Sequence, residues 1–234
     1  MTWSIVALHP DGSLGVAVAS RFFAVGALCP HGRSGVGALA TQALVNPLYA
    51  APALDALAAG RAPADVVRAL TGADPGRDHR QLHIIDAHGR VAAHTGAACI
   101  DWCGHLAGDG FSIAGNMLAG AAVLDATAAA YVEAHARPFA ERLIAALAAG
   151  DAAGGDKRGK QAAALLVCTT EDYPALDLRV DDHPEPIAEL QRLHRVSGER
   201  FQPFVACLPR RGDAAGIVDR TVIEARIAAF RAGS

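Results

Sequence analysis

Thr2-Trp-Ser-Ile-Val-Ala-Leu8, Pro10-Asp-Gly12 and Leu14-Gly-Val-Ala-Val-Ala-Ser20 set the architecture from the first residues. Two short β-branched and apolar runs stand on either side of a tripeptide whose Pro and Gly favour a tight reversal, so they read as a β-hairpin. Gly35-Val-Gly-Ala-Leu-Ala-Thr-Gln42 follows as a third strand or strand pair. Its small residues bring the backbone close to a neighbouring sheet or a ligand.

Working outward, leucines and alanines recur at helical spacing from Pro52 to about Thr71 around a break at Gly60-Arg-Ala-Pro63, which predicts two short helices. Strands return at Gln81–Asp86 and Arg90–His94 across the turn Ala87-His-Gly89, and again at Phe111–Met117. Two helices follow, over about Val123–Ala134 and after Pro138, where Phe139, Leu143, Ile144 and Leu147 share one face. Gln161–Val167 and Ala175–Val180 are the last strands, before a helix marked by Ile187, Leu190 and Leu193. Ser197–Asp219 reads as loop with a short strand near Phe204–Leu208, and Thr221 with Glu224 forms a capping box for a terminal helix. Strands and helices come in blocks rather than in βαβ alternation, which predicts an α+β fold of four layers with antiparallel sheets. Residues 1–195 are expected to form one domain, with 196–234 a C-terminal extension packed on it.

With 234 residues, 52% of them hydrophobic, the chain can bury a substantial core and is neither disordered nor collagenous. Its 21 basic and 24 acidic side chains leave a net charge of -3, and no basic run offers a phosphate-neutralising strip, so no nucleic-acid partner is expected. Five scattered cysteines do not have the arithmetic of a disulfide framework and suit a reducing compartment. The start lacks a basic n-region, and no segment reaches membrane-spanning length without polar interruption. A cytoplasmic protein without membrane contact is the expectation; a homo-oligomer is compatible with the sequence.

Thr2 follows the initiator Met, and a small second residue permits removal of Met1. An N-terminal threonine carries both a nucleophile and a base, because its α-amine has an ordinary pKa of about 7.7 to 8.0. The same residue also serves simply to open a strand.

Thr2-Trp-Ser4 on one strand, with Gly15-Val-Ala-Val-Ala-Ser-Arg21 on its hairpin partner, resembles the N-terminal-nucleophile hydrolases. A closer resemblance is to the bacterial family called domain of unknown function 1028. It is carried by Gly15-Val-Ala-Val-Ala-Ser-Arg-Phe-Phe-Ala-Val-Gly26, Ala40-Thr-Gln-Ala43, Asn46-Pro47, Asp74-Pro-Gly-Arg-Asp78, Gly115-Asn116 and Val180-Asp-Asp-His-Pro184, and it spans residues 2 to about 195. The resemblance implies an αββα sandwich, two antiparallel sheets between helix layers. It also implies an amide hydrolase with Thr2 as nucleophile and Arg21 in the position of the superfamily's strand arginine. One departure stands out: proteasome-like sites use a lysine near the nucleophile, and the first 156 residues here contain none.

Asn116, beside Gly115 at the end of an apolar strand, is the candidate oxyanion donor. Ser4 and Ser20 could orient Thr2, and Gln42 and Asn46 could bind a polar substrate, although for each of them satisfying a buried strand end is the commoner role. His94, Cys99, Cys103 and His105 invite a zinc reading, but Cys-x3-Cys without a second matched pair is not zinc spacing, so no metal is expected. Asp181-Asp-His-Pro184 reads as a helix cap, and Gly154-Gly-Asp-Lys-Arg-Gly159 as a solvated loop. The expected function is hydrolysis of a small amide by Thr2, with Asn116 and Arg21 in support and no cofactor. The alternative is a non-catalytic small-molecule binder or scaffold on the same fold, with a metal-dependent hydrolase behind it.

Overall fold

A computed structural model describes residues 2–232. Strands β1 (Thr2–Leu8) and β2 (Leu14–Ser20) form the expected hairpin, antiparallel and in register from Thr2 opposite Ser20 to Leu8 opposite Leu14. β1 lies at the middle of its sheet because its other edge takes β8 (Phe111–Leu118), which sets Thr2 opposite Asn116. With β7 (Trp102–Gly108), β9 (Ala162–Cys168) and β10 (Leu176–Val180) this becomes a six-stranded sheet of order β10-β9-β2-β1-β8-β7. The second sheet has four strands in the order β3-β4-β5-β6: Pro30–Arg33, Gly37–Ala43, Arg80–Asp86 and Val91–Thr95. All pairings in both sheets are antiparallel.

Period-two alternation assigns each strand residue to a layer. Trp3 and Ile5 point away from the second sheet and bury with Leu143 and Leu147 of α4 (Phe139–Ala152) and Val123 of α3 (Ala122–Glu133), while Ile187 and Leu190 of α5 (Pro186–Glu199) complete that core. Val6, Val16 and Val18 point the other way and meet Ala38, Ala40 and Ile85 between the sheets. On the far side, Leu39, Leu82 and Ile84 pack against α1 (Ala50–Ala58) and α2 (Pro63–Ala73). The result is the expected α+β sandwich, two antiparallel sheets with helices outside each. The small residues of Gly35–Gln42 serve close approach: a Cβ on Gly37 would lie 2.6 Å from the Ile85 carbonyl oxygen.

Several expectations are corrected. The half-exposed edge strand β7 carries two glycines and a bulge between Trp102 and Gly104, so it shows no alternation in the sequence. Phe204–Leu208 is not a strand; α6 (Phe201–Val205) continues the chain after α5, with Pro203 and Cys207 buried. The terminal helix α7 (Arg220–Ala232) is capped by Asp219, which accepts the backbone N–H of Thr221 at 2.8 Å, and not by Thr221. Asp181 pairs with Arg179 rather than capping α5, and it is His183 Nδ1 that accepts the Glu185 N–H. The 154–159 loop is solvated only in part, because Asp156 is buried and bridges to Leu118. No helix of the described residues is long and apolar enough to cross a membrane.

Candidate active site at the open end of the sandwich

The inter-sheet layer is apolar at the Val6–Val16–Ile85 end and turns polar toward Thr2. Thr2, Ser4 and Ser20, Gln42, Gln81 and His83, and Ser112 and Asn116 are all buried. Such a layer is tolerable only if its hydrogen bonds close, and here they do. Gln81 is the hub: its Oε1 accepts from Gln42 Nε2 at 2.7 Å and from Asn116 Nδ2 at 3.1 Å, while its Nε2 donates to the carbonyls of Gly104 and Gly115 at 3.0 and 2.9 Å. The amides of Gln42 and Asn116 each reach the Thr2 carbonyl at 3.5 Å, and the Thr2 hydroxyl lies 3.0 Å from that of Ser20. The main chain and side chain of Thr2 are therefore held from both sheets.

Behind this shell, Ser4 donates to Gln42 Oε1 at 2.6 Å and sits 2.8 Å from His83 Nε2. A serine has one proton to give, so His83 Nε2 carries the hydrogen toward Ser4, and Nδ1 accepts from Ser112 at 3.2 Å. That neutral tautomer agrees with the charge state: complete burial lowers the His83 pKa to about 3, helped by the charge of His105.

Two cavities open beside this framework. A small one of about 60 Å³ runs from Thr2 and Gln42 between Phe22, Val25, Leu28 and Cys29. A larger one of about 410 Å³ is lined by Asn116, Leu44, Ile100, Met117, His79 and Arg158 among others. Ala43 lines both. Among the described residues, the non-glycine positions in left-handed backbone conformation are Ala24, Ala43, Asp101 and Met117, with φ of 51°, 67°, 56° and 55°. Each either lines one of these cavities or adjoins a residue that does, and each costs on the order of 1–3 kcal/mol. Backbone strain is thus concentrated along the two cavities. A larger groove of about 620 Å³ between α6 and α7 holds the Arg200–Glu224 ion pair and no nucleophile.

Arg21 directly follows Ser20; its backbone N–H donates to Asp156 at 3.0 Å, and its exposed side chain lies beside Gly159. Asn46 stands apart from the Thr2 cluster: it accepts the Leu48 N–H at a helical turn and donates to Asp74. The suspected zinc residues are engaged with their surroundings. His94 bonds the Arg77 carbonyl, His105 bonds Thr95, and the Cys99 and Cys103 thiols face backbone carbonyls. The described residues contain no group of three or more His, Cys, Asp or Glu side chains able to hold a metal.

The model of a family of unknown function, DUF1028, matches residues 2–190, a span that includes every residue of the Thr2 framework. The chain belongs to the DUF1028 family. A crystal structure of the DUF1028 protein SPO2555 from Silicibacter pomeroyi is similar over 94% of this chain and 96% of that one, with 34% identity and a TM-score of 0.86. No curated protein matches the sequence. The DUF1028 match ends within α5, leaving α6 and α7 outside it.

Proposed function

We propose that this DUF1028 protein is an amide hydrolase of the N-terminal-nucleophile type, with Thr2 as nucleophile once Met1, which lies outside the described residues, is removed. The observation that carries the reading is the convergence of both sheets' amide side chains on Thr2, which lines the smaller cavity while its register partner Asn116 lines the larger. In this mechanism the freed α-amine takes the proton of the Thr2 hydroxyl as its oxygen attacks the substrate carbonyl. Asn116, whose Nδ2 reaches the Thr2 carbonyl only at 3.5 Å, has an N–H to redirect toward the developing oxyanion. Collapse breaks the C–N bond, the α-ammonium returns its proton to the leaving amine, and an ester remains on Thr2. Water then attacks that ester, assisted by the same amine, and releases the acid. Ser20 orients the hydroxyl, and Arg21, next in the chain after the residue paired with Thr2, adds positive charge on that side of the site.

A binding-only reading has one observation in its favour. Lys157 is paired with Asp101 and Lys160 with Asp151 and Glu185, so neither lysine is committed to Thr2. The experiment that separates the two readings uses a panel of small amides with two variants: Thr2→Ala, and a chain with an uncleavable residue placed before Thr2. Hydrolysis by the wild type that both variants lose supports catalysis. Turnover by either variant at the wild-type rate removes Thr2 from the mechanism.

A further inference from the structure

We infer that the larger cavity receives a carboxylate, with Arg158 as its counter-ion, so that the ligand is a small amide bearing a carboxylate on the half lodged there. This rests on Thr2 being the centre of the site, since the cavity is lined by Asn116, the register partner of Thr2. Arg158 forms part of the wall together with His79, and Leu44, Ile100 and Met117 supply the apolar surface between.

Arg158 has the donors to spare. Its nearest acid, Asp156, is fully buried, and its oxygens already accept the backbone N–H groups of Arg158 at 2.7 Å and Arg21 at 3.0 Å. Among the described residues the Arg158 guanidinium touches Asp156 by one long contact of 3.4 Å and is about half exposed. A guanidinium carries five N–H donors in a fork that matches a carboxylate, so the Asp156 contact leaves most of the capacity of this cavity-lining side chain unused. Asp156 thus works as an anchor: it fixes the backbone of the loop and aims the cation. The neighbouring Lys157 is drawn to Asp101 at 3.5 Å, leaving Arg158 as the strong cation of the wall. The apolar walls lower the local dielectric and strengthen the pairing.

The test is binding rather than turnover, so that its outcome is separable from that of the hydrolase reading. N-acetyl-leucine and its neutral counterpart N-acetyl-leucinamide are titrated calorimetrically into the Thr2→Ala protein and into Thr2→Ala combined with Arg158→Met or Arg158→Lys. The expected result is binding of the carboxylate about tenfold or more tighter than the amide. Arg158→Met should abolish that preference and Arg158→Lys keep part of it, with circular dichroism unchanged. Equal affinity for the two probes, absence of binding by both, or a preference that survives Arg158→Met would each overturn the inference. If wild-type protein binds with this preference yet hydrolyses no amide, the hydrolase reading fails and the carboxylate site stands.

Discussion

Mild acid should weaken the fold through His83, which is fully buried between Ser4 and Ser112. Its pKa falls from an ordinary 6.5 to about 3 in the folded protein, with burial as the main cause. The folded state therefore stays neutral here while the unfolded chain takes up a proton, so stability is present above pH 6.5 and is lost as pH falls from there toward 3. At 1.36 kcal/mol per pH unit, the loss between pH 7 and pH 5 is about 2 kcal/mol. His83→Gln isolates this contribution, because an amide can still donate and accept between the two serines but does not titrate in this range. Urea unfolding of both proteins at the two pH values, with matched m-values, gives the comparison. Wild type should lose about 2 kcal/mol more than His83→Gln between pH 7 and pH 5. Equal losses would refute the neutral, desolvated histidine and, with it, the tautomer deduced from Ser4.

Two further substitutions probe the frame around the site. Asp74 accepts from Tyr49 at 2.5 Å, from the Gly76 N–H at 2.7 Å and from Arg80 and Asn46 at 3.2 Å, which hold its carboxyl well below the usual carboxylate range; burial first and the Asp74 carboxylate second push the Tyr49 hydroxyl up to about 12. Asp74→Asn should lower stability at pH 7 by about 1.5–3 kcal/mol, a deficit that shrinks in strong acid as the wild-type carboxylate protonates; thermal melts across pH check both parts. Gly96 is buried, and a Cβ there would overlap the carbonyls of Arg77 and Asp78, which are backbone and cannot swing aside. Gly96→Ala should therefore cost about 1–3 kcal/mol in denaturant unfolding, and an unchanged midpoint would mean the 77–78 turn yields freely.

The fold was legible where local signals and tertiary demands agree. The Pro10-Asp-Gly12 turn and the alternation on either side fix the β1–β2 register, and Pro138 followed by a single apolar face marks α4. Legibility failed where an element gains its order from neighbours. The edge strand β7 has one exposed face and a bulge, and α6 depends on tertiary burial of Pro203 and Cys207. Within the site, Thr2, Ser4, Ser20, Gln42 and Asn116 are brought together, whereas Asn46 caps a turn elsewhere. Gln81 and His83 went unrecognised although a signal was present: polar side chains at period two on a strand whose other face is apolar, the same pattern as Thr2 and Ser4. Which sheet that polar face meets is set by the packing of distant strands, and no local spacing encodes it. Asp156 and Arg158 were hidden for a similar reason, since a glycine-rich charged loop looks solvated until the burial of Asp156 shows what it anchors.

The most direct measurement on the central claim is peptide-mapped mass spectrometry of natively expressed protein after exposure to a strained β-lactone, which acylates an activated hydroxyl and leaves a stable ester. The account predicts a chain that has lost one methionine and carries a single adduct on the Thr2 hydroxyl, absent from Thr2→Ala and from the chain extended before Thr2. Retention of Met1 throughout the sample, or labelling that persists in Thr2→Ala, would contradict it.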